Sequence, residues 1–180
     1  MKKYQILCVD DDNDILPIYK LMLKNLDYEI ITYTSCLEAI DYIKENGNEI
    51  IYIFSDYSMM EMNGLEFRKK INDLGIDIPF VLVTGHYNLE MTKAGMDLRI
   101  QAFVEKPFHE VDLKKLINDL GDKRRSYLDE EHEMVVSFVE ESHPMLLEIE
   151  DLIMSLESNP DNANLLNTYF RLLHTIKGTA

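Results

Sequence analysis

The chain has 180 residues, 46% of them hydrophobic, and a formal net charge of −15. That length suits one α/β domain plus an appendage, and the charge is negative on both residues 1–121 (13 basic, 21 acidic) and 122–180 (5 basic, 12 acidic), which argues against nucleic acid or anionic lipid as a partner. Two cysteines, Cys8 and Cys36, make neither a disulfide framework nor a metal spacing and point to a reducing cytoplasm, and no apolar run approaches the ~20 residues of a membrane helix.

Up to about residue 121, strand and helix patterns alternate. Tyr4 to Val9 is an apolar run that ends in Asp10, Asp11 and Asp12. Ile15, Ile18, Met22 and Leu26 then recur at helical spacing, with Pro17 in the first turn, where its missing N–H costs nothing. Residues 29–34 read as a β-branched strand. Ser35, with Glu38 three residues on, reads as a capping box opening a helix whose buried side is Leu37, Ile40 and Ile43, and Gly47 stops it. The run from Ile50 to Phe54 has the look of a strand buried on both faces, and it ends abruptly at Asp56. A loop closed by Asn63 and Gly64 leads to a helix with Phe67, Ile71 and Leu74 on one side. Pro79 to Thr84 and Ala102 to Lys106 read as the fourth and fifth strands, and the helix between them, near Asn88 to Asp97, is weakly patterned. Val111, Leu113, Leu116, Ile117 and Leu120 make a last amphipathic helix, with Gly121 as a candidate breaker. Five strands alternating with helices predict a parallel sheet covered on both faces.

The polar residues fall at strand ends. Asp10 and Asp11 follow the first strand, Asp56 ends the third, Thr84 the fourth and Lys106 the fifth. In a parallel sheet all carboxyl ends share one edge, where ligands bind. Asp56 alone reads equally as a turn cap; the whole set is hard to explain by capping. Three neighbouring acids require a counter-charge, and a hard divalent cation held by oxygens, such as Mg²⁺ or Mn²⁺, supplies it. Asp56 is then placed to attack phosphorus as a carboxylate nucleophile, with Lys106 and Thr84 holding two phosphoryl oxygens.

Asp10 with Asp11, Asp56 with Met59 and Gly64 behind it, Thr84 with Gly85, and Phe103 three residues before Lys106 and Pro107 together resemble the receiver domain of two-component response regulators. The resemblance covers residues 1–121 and implies a flavodoxin-like, doubly wound five-stranded parallel sheet of order 2-1-3-4-5. Asp56 would be the phosphoacceptor. Asp11 and Asp56 would be direct metal ligands with the main-chain carbonyl of Ser58, and Asp10 would act largely through water. By the same resemblance, a cis peptide bond precedes Pro107, and Thr84 with Phe103 form a phosphorylation switch. Met60 stands where such sequences usually carry proline, and His86 occupies a variable position that tunes phosphate lifetime.

Residues 122–130 are polar and read as a linker, or equally as a continuation of the preceding helix. From Val135 to Leu156 a three-four apolar spacing marks a long helix of a bundle, with Pro144 expected to kink it. Residues 158–162 break the pattern, and a second helix begins near Asn164. On that helix, at 100° per residue, Leu165, Tyr169, Leu172 and Ile176 lie opposite His174, which therefore faces outward beside Arg171 and Lys177. Gly178, inside a helix at a cost of about 1 kcal/mol, suggests that another backbone comes close. A lone exposed histidine is ordinarily a surface residue. The stretch from His174 through Lys177 and Gly178 to Ala180, however, is similar to the phosphorylation motif of histidine phosphotransfer domains in chemotaxis-type kinases. That resemblance implies His174 as a phosphohistidine, and residues 131–180 as an all-α partial four-helix bundle.

The expected function is thus phosphorelay signalling, with Asp56 and His174 as acceptors. The expected partners are a histidine kinase or phosphotransfer protein and a downstream response regulator. No ATP-binding glycine loop occurs, and the chain reads as the N-terminal part of a longer hybrid histidine kinase. Half a bundle would leave its apolar stripe bare, so a homodimer through the C-terminal helices is expected, the alternatives being packing back on the receiver or disorder beyond residue 157. The rival is a Mg²⁺-dependent phosphohydrolase with an aspartyl-phosphate intermediate. Such enzymes commonly carry a second acid two residues after the nucleophile, where this chain has Ser58.

Overall fold

The structure is a computed structural model that describes residues 4–86, 88–160 and 162–179; the side-chain surroundings of Leu120, Gly121 and Gly178 lie outside the described residues. Two compact units make up the chain, Met1–Arg125 and Ser126–Ala180. In the first, strands β1 (Gln5–Val9), β2 (Glu29–Tyr33), β3 (Ile50–Asp56), β4 (Phe80–Thr84) and β5 (Ala102–Glu105) alternate with helices α1 (Leu16–Leu23), α2 (Cys36–Asn46), α3 (Gly64–Asp73), α4 (Leu89–Asp97) and the start of α5 (Glu110–Ser158). The sheet is parallel throughout, in the order β2-β1-β3-β4-β5.

Period-two alternation divides the core. Leu7, Val9, Ile53, Phe80 and Leu82 pack with Ala39, Ile40 and Ile43 of α2 and Phe67 and Ile71 of α3. Ile6, Cys8, Phe54, Val81 and Val83 face the other way, onto Tyr19 and Leu23 of α1 and Leu113 and Ile117 of α5. A register shift opposite Gln5 and Ile6 lets the consecutive Ile51 and Tyr52 of β3 join this second cluster. Both faces are therefore dry, which is why the strands read as nearly unbroken apolar runs.

The helices bury most of the residues their periodicity suggests, among them Ile40, Ile43, Phe67, Ile71, Leu113 and Ile117, but not all. In α1 the inner residues are Leu16, Tyr19 and Leu23, while Ile18 faces solvent. In α2, Cys36 and Ala39 take the place expected of Leu37, and in α3 Leu74 is an exposed C-cap. Adjacent apolar residues offer two stripes a few tens of degrees apart, and packing against the twisted sheet selects between them. Helix α5 runs through Gly121 and Pro144 and contains residues 122–130. In the second unit α5 ends at Ser158 and is followed by α6 (Ala163–Thr179), whose first turn is capped by the Asn162 side chain accepting from the N–H groups of Asn164 and Leu165.

Gly64 fixes the loop after β3. A Cβ there would lie 2.4 Å from Leu82 Cδ1 and 2.6 Å from the carbonyl oxygen of Asp56, so α3 begins hard against the end of β3. We expect Gly64→Ala to lower unfolding stability by about 1–3 kcal/mol through overpacking. An unchanged urea midpoint would contradict that tight approach.

Candidate functional site

The register of β1 on β3 pairs Val9 with Ser55, so the residues that follow, Asp10 and Asp56, emerge side by side on strands about 4.8 Å apart. Both are buried, at 1% and 5% exposure, whereas Asp11 is only half-buried. One carboxylate oxygen from each of Asp10, Asp11 and Asp56 lies within 4.8 Å of the other two. The Lys106 ammonium, just past β5, reaches across the edge of the sheet to Asp56 Oδ1 at 2.6 Å and Asp10 Oδ2 at 2.7 Å.

Burial pushes the Asp10 carboxyl above its ordinary range, despite the hydrogen bonds from Lys106 and the Asp12 N–H and assisted by the charge of Asp56. Burial also works against the Lys106 ammonium, but hydrogen bonds and charge from Asp10 and Asp56 outweigh it and hold Lys106 above its ordinary value. The two shifts differ in cause: burial dominates at Asp10, and the neighbouring carboxylates dominate at Lys106. Three hard oxygen donors, with no sulfur or imidazole in the cluster, suit an oxygen-seeking divalent cation such as Mg²⁺.

The loop after β3 is pinned from several sides. The Ser58 N–H donates to Asp56 Oδ2 at 2.6 Å and the Met60 N–H to Asp11 Oδ2 at 3.0 Å. The Tyr57 N–H extends the ladder to the Val83 carbonyl, and the Gly64 N–H returns to the Tyr57 carbonyl. Glu61 accepts from the Ser35 hydroxyl at 2.8 Å and the Leu37 N–H at 3.1 Å, tying the loop to the start of α2, where Ser35 in turn caps Glu38 N–H. No spacing rule picks out Glu61 from sequence, because its partners lie more than twenty residues away.

Thr84 is buried at the end of β4, where its hydroxyl donates to the His86 carbonyl and accepts from the His86 N–H. Phe103, half-buried on β5, lays its ring where a Cβ on Gly95 of α4 would be, 2.4 Å away. The Lys106–Pro107 bond is cis. The structure thus gathers Asp10, Asp11, Asp56, Ser58 and Lys106 at one place. His174 and Lys177 lie exposed on α6 of the second unit.

Residues 6–118 match the family model described as the response regulator receiver domain. The chain belongs to that family. The receiver unit is 31% identical over 122 residues to the response regulator SaeR of Staphylococcus aureus, an overlap of 68% of this chain and 52% of SaeR. It is 30% identical over 114 residues to the two-component response regulator ARR21 of Arabidopsis thaliana, covering 63% of this chain and 18% of ARR21. The chain therefore spans about half of SaeR and under a fifth of ARR21. Among solved structures, a CheY-like receiver protein of Methanospirillum hungatei superposes with a TM-score of 0.62 at 27% identity, covering 69% of this chain and 98% of that one. Vibrio cholerae CheY4 superposes with a TM-score of 0.61 at 24% identity, covering 65% and 98%. The five-stranded order is that of the CheY-like flavodoxin fold. Receiver domains bind Mg²⁺ through an acidic pocket and interact with histidine kinases or phosphotransfer proteins, and this chain carries the acidic cluster. Among the described residues no helix is long and apolar enough to cross a membrane.

The Glu61 latch has a pH signature. Hydrogen bonds from Ser35 and from the Leu37 N–H hold its carboxyl below the ordinary value of 4.5. A depressed pKa contributes stability that is present above 4.5 and lost as pH falls through the lower folded-state value. Glu61→Gln should therefore lower the thermal midpoint at pH 7, with the difference from wild type closing in acid. Equal midpoints at pH 7, or a gap that widens in acid, would refute the latch.

Proposed function

We propose that the chain is a phosphorelay protein in which Asp56 accepts a phosphoryl group from a phosphohistidine donor, with Mg²⁺ or Mn²⁺ as cofactor. The observation that carries this reading is the pairing of Asp56 Oδ1 with the Lys106 ammonium at 2.6 Å, at a buried strand end shared with two further acids. A carboxylate oxygen of Asp56 forms a bond to phosphorus as the donor's N–P bond breaks, and the released imidazole takes up a proton. Asp10, Asp11, Asp56 and the main-chain carbonyl of Ser58 would hold the cation, which would supply neutralising charge to the phosphoryl oxygens. Lys106 binds one phosphoryl oxygen. Thr84 exchanges its bond to His86 for another, and its movement draws Phe103 inward as the switch.

The proposed organisation is a receiver at 1–121, a linker at 122–130, and a partial histidine phosphotransfer domain at 131–180. His174 is the second acceptor, with Lys177 steadying its phosphoryl group. Support comes from α6, where His174, Arg171 and Lys177 are exposed and Leu165, Tyr169, Leu172 and Ile176 are half-buried. Two acceptor types in one chain fit a place in a cytoplasmic hybrid histidine kinase, receiving from a kinase or phosphotransfer protein and passing to a response regulator. The large exposed apolar side chains Met134, Val135, Val139, Leu146, Met154 and Phe170 favour homodimerisation through these helices, which light scattering of the intact chain tests.

With a small phosphodonor and Mg²⁺, intact-mass measurement should show one added phosphoryl group that disappears in Asp56→Asn and persists in His174→Gln. Phosphoryl transfer onto His174 from a phosphorylated partner should be lost in His174→Gln. Labelling of Asp56→Asn at the wild-type level, or in EDTA, would overturn the assignment. Phe103→Ala should label normally; if it does not, Phe103 belongs to the acceptor site rather than to the switch.

A further inference from the structure

The main-chain amide of Met60 reaches the acidic site. The Met60 side chain is 91% exposed and has no packing role. Its main-chain N–H nevertheless points inward and donates to Asp11 Oδ2 at 3.0 Å. Lys106 pairs with Asp10 and Asp56, and among the described residues the Met60 N–H is the hydrogen-bond donor to the Asp11 carboxylate. Without such a donor, a half-buried carboxylate has more freedom about its two side-chain torsions. This N–H is delivered by a fixed backbone, since the next residue, Glu61, is anchored to Ser35 and Leu37, and Gly64 N–H closes the loop onto the Tyr57 carbonyl. The bond also coexists with the convergence of Asp10, Asp11 and Asp56 oxygens within 4.8 Å, so it does not draw Asp11 out of the cluster.

We propose that the Met60 main-chain N–H is a positioning group that holds Asp11 in the orientation in which it takes a divalent cation. This rests on the reading of Asp10, Asp11 and Asp56 as the cation site. Groups that hydrogen-bond a metal-ligating carboxylate fix its orientation, and their loss commonly weakens metal binding 10–100-fold. Mg²⁺, with its strict octahedral demand, is the ion most sensitive to such a loss.

Proline deletes this one N–H, whereas alanine keeps it and removes the same exposed side chain. Calorimetric titration of the full chain with Mg²⁺ should therefore find Met60→Pro about tenfold weaker than Met60→Ala. In wild type, amide hydrogen exchange at Met60 should be slow without Mg²⁺ and equally slow when Mg²⁺ saturates the site. Met60→Pro binding as tightly as Met60→Ala, or tighter, overturns the proposal. So does loss of Met60 amide protection on Mg²⁺ saturation, which would mean that the bond competes with the cation. If Met60→Pro fails to fold by circular dichroism, the wild-type exchange measurement decides alone. Mg²⁺ binding undiminished in Asp11→Ala removes the underlying cation-site reading and this proposal with it. Binding that needs Asp11 but shows no Pro/Ala difference removes the proposal alone.

Discussion

The Lys106 ammonium lies between the carboxylates of Asp10 and Asp56, 2.7 and 2.6 Å away, and this contact organises the carboxyl edge of the sheet. Two buried acids one strand apart repel each other, and Asp11 adds a third charge beside them. One ammonium serves two of these acids, and burial, helped by the charge of Asp56, displaces Asp10 upward. Three oxygen donors gathered at one buried edge suit a divalent cation, and the Lys106 ammonium and the Ser58 N–H orient the Asp56 carboxylate. The same crowding of acids works against the fold, and the dry, two-faced core behind it supplies the stability that tolerates the crowding.

Parallel pairing does most of the positioning. Because β1 and β3 are neighbours, Asp10 and Asp56 are adjacent without any long-range loop to hold them, and the ladder continues past the strand ends through the Tyr57 N–H to Val83 and the Lys106 N–H to Thr84. What the sheet does not fix is the turn after Asp56. That turn is held by the missing Cβ of Gly64 and by Glu61 reaching to α2, so the geometry around Asp56 depends on α2 and α3 as well as on the strands.

Much of this was legible before any coordinates, for a physical reason. Strands buried on both faces carry nearly continuous apolar runs, and a polar residue where such a run stops stands out, so Asp10, Asp56, Thr84 and Lys106 declared themselves. Contacts chosen by packing stayed hidden. Arg68 is wholly buried, its guanidinium donating to the carbonyls of Ile78 at 2.8 Å and Leu98 at 3.1 Å and lying over the Phe80 ring. Nothing in the chain announces this, because main-chain carbonyls leave no mark in a sequence. Arg124, likewise, is bonded to the carbonyls of Gly47, Ile50 and Asp77 from a stretch whose polarity suggested a junction, although Lys and Arg are also good helix formers. Met60 stood out from the sequence only as a departure from the usual proline. Its side chain is idle, and the interaction it makes belongs to the backbone.

The receiver unit's central claim is that Asp56, rather than either of the acids beside it, carries the phosphoryl group. Hydroxylamine cleaves an acyl phosphate and leaves a hydroxamate on the carbonyl carbon that held it, so it marks the acceptor covalently. The measurement is peptide mapping by tandem mass spectrometry of the full chain, treated with hydroxylamine after exposure to a small phosphodonor, with and without Mg²⁺. The account predicts a hydroxamate at Asp56 that requires Mg²⁺. A hydroxamate at Asp10 or Asp11, or one at Asp56 that forms equally in EDTA, would contradict it.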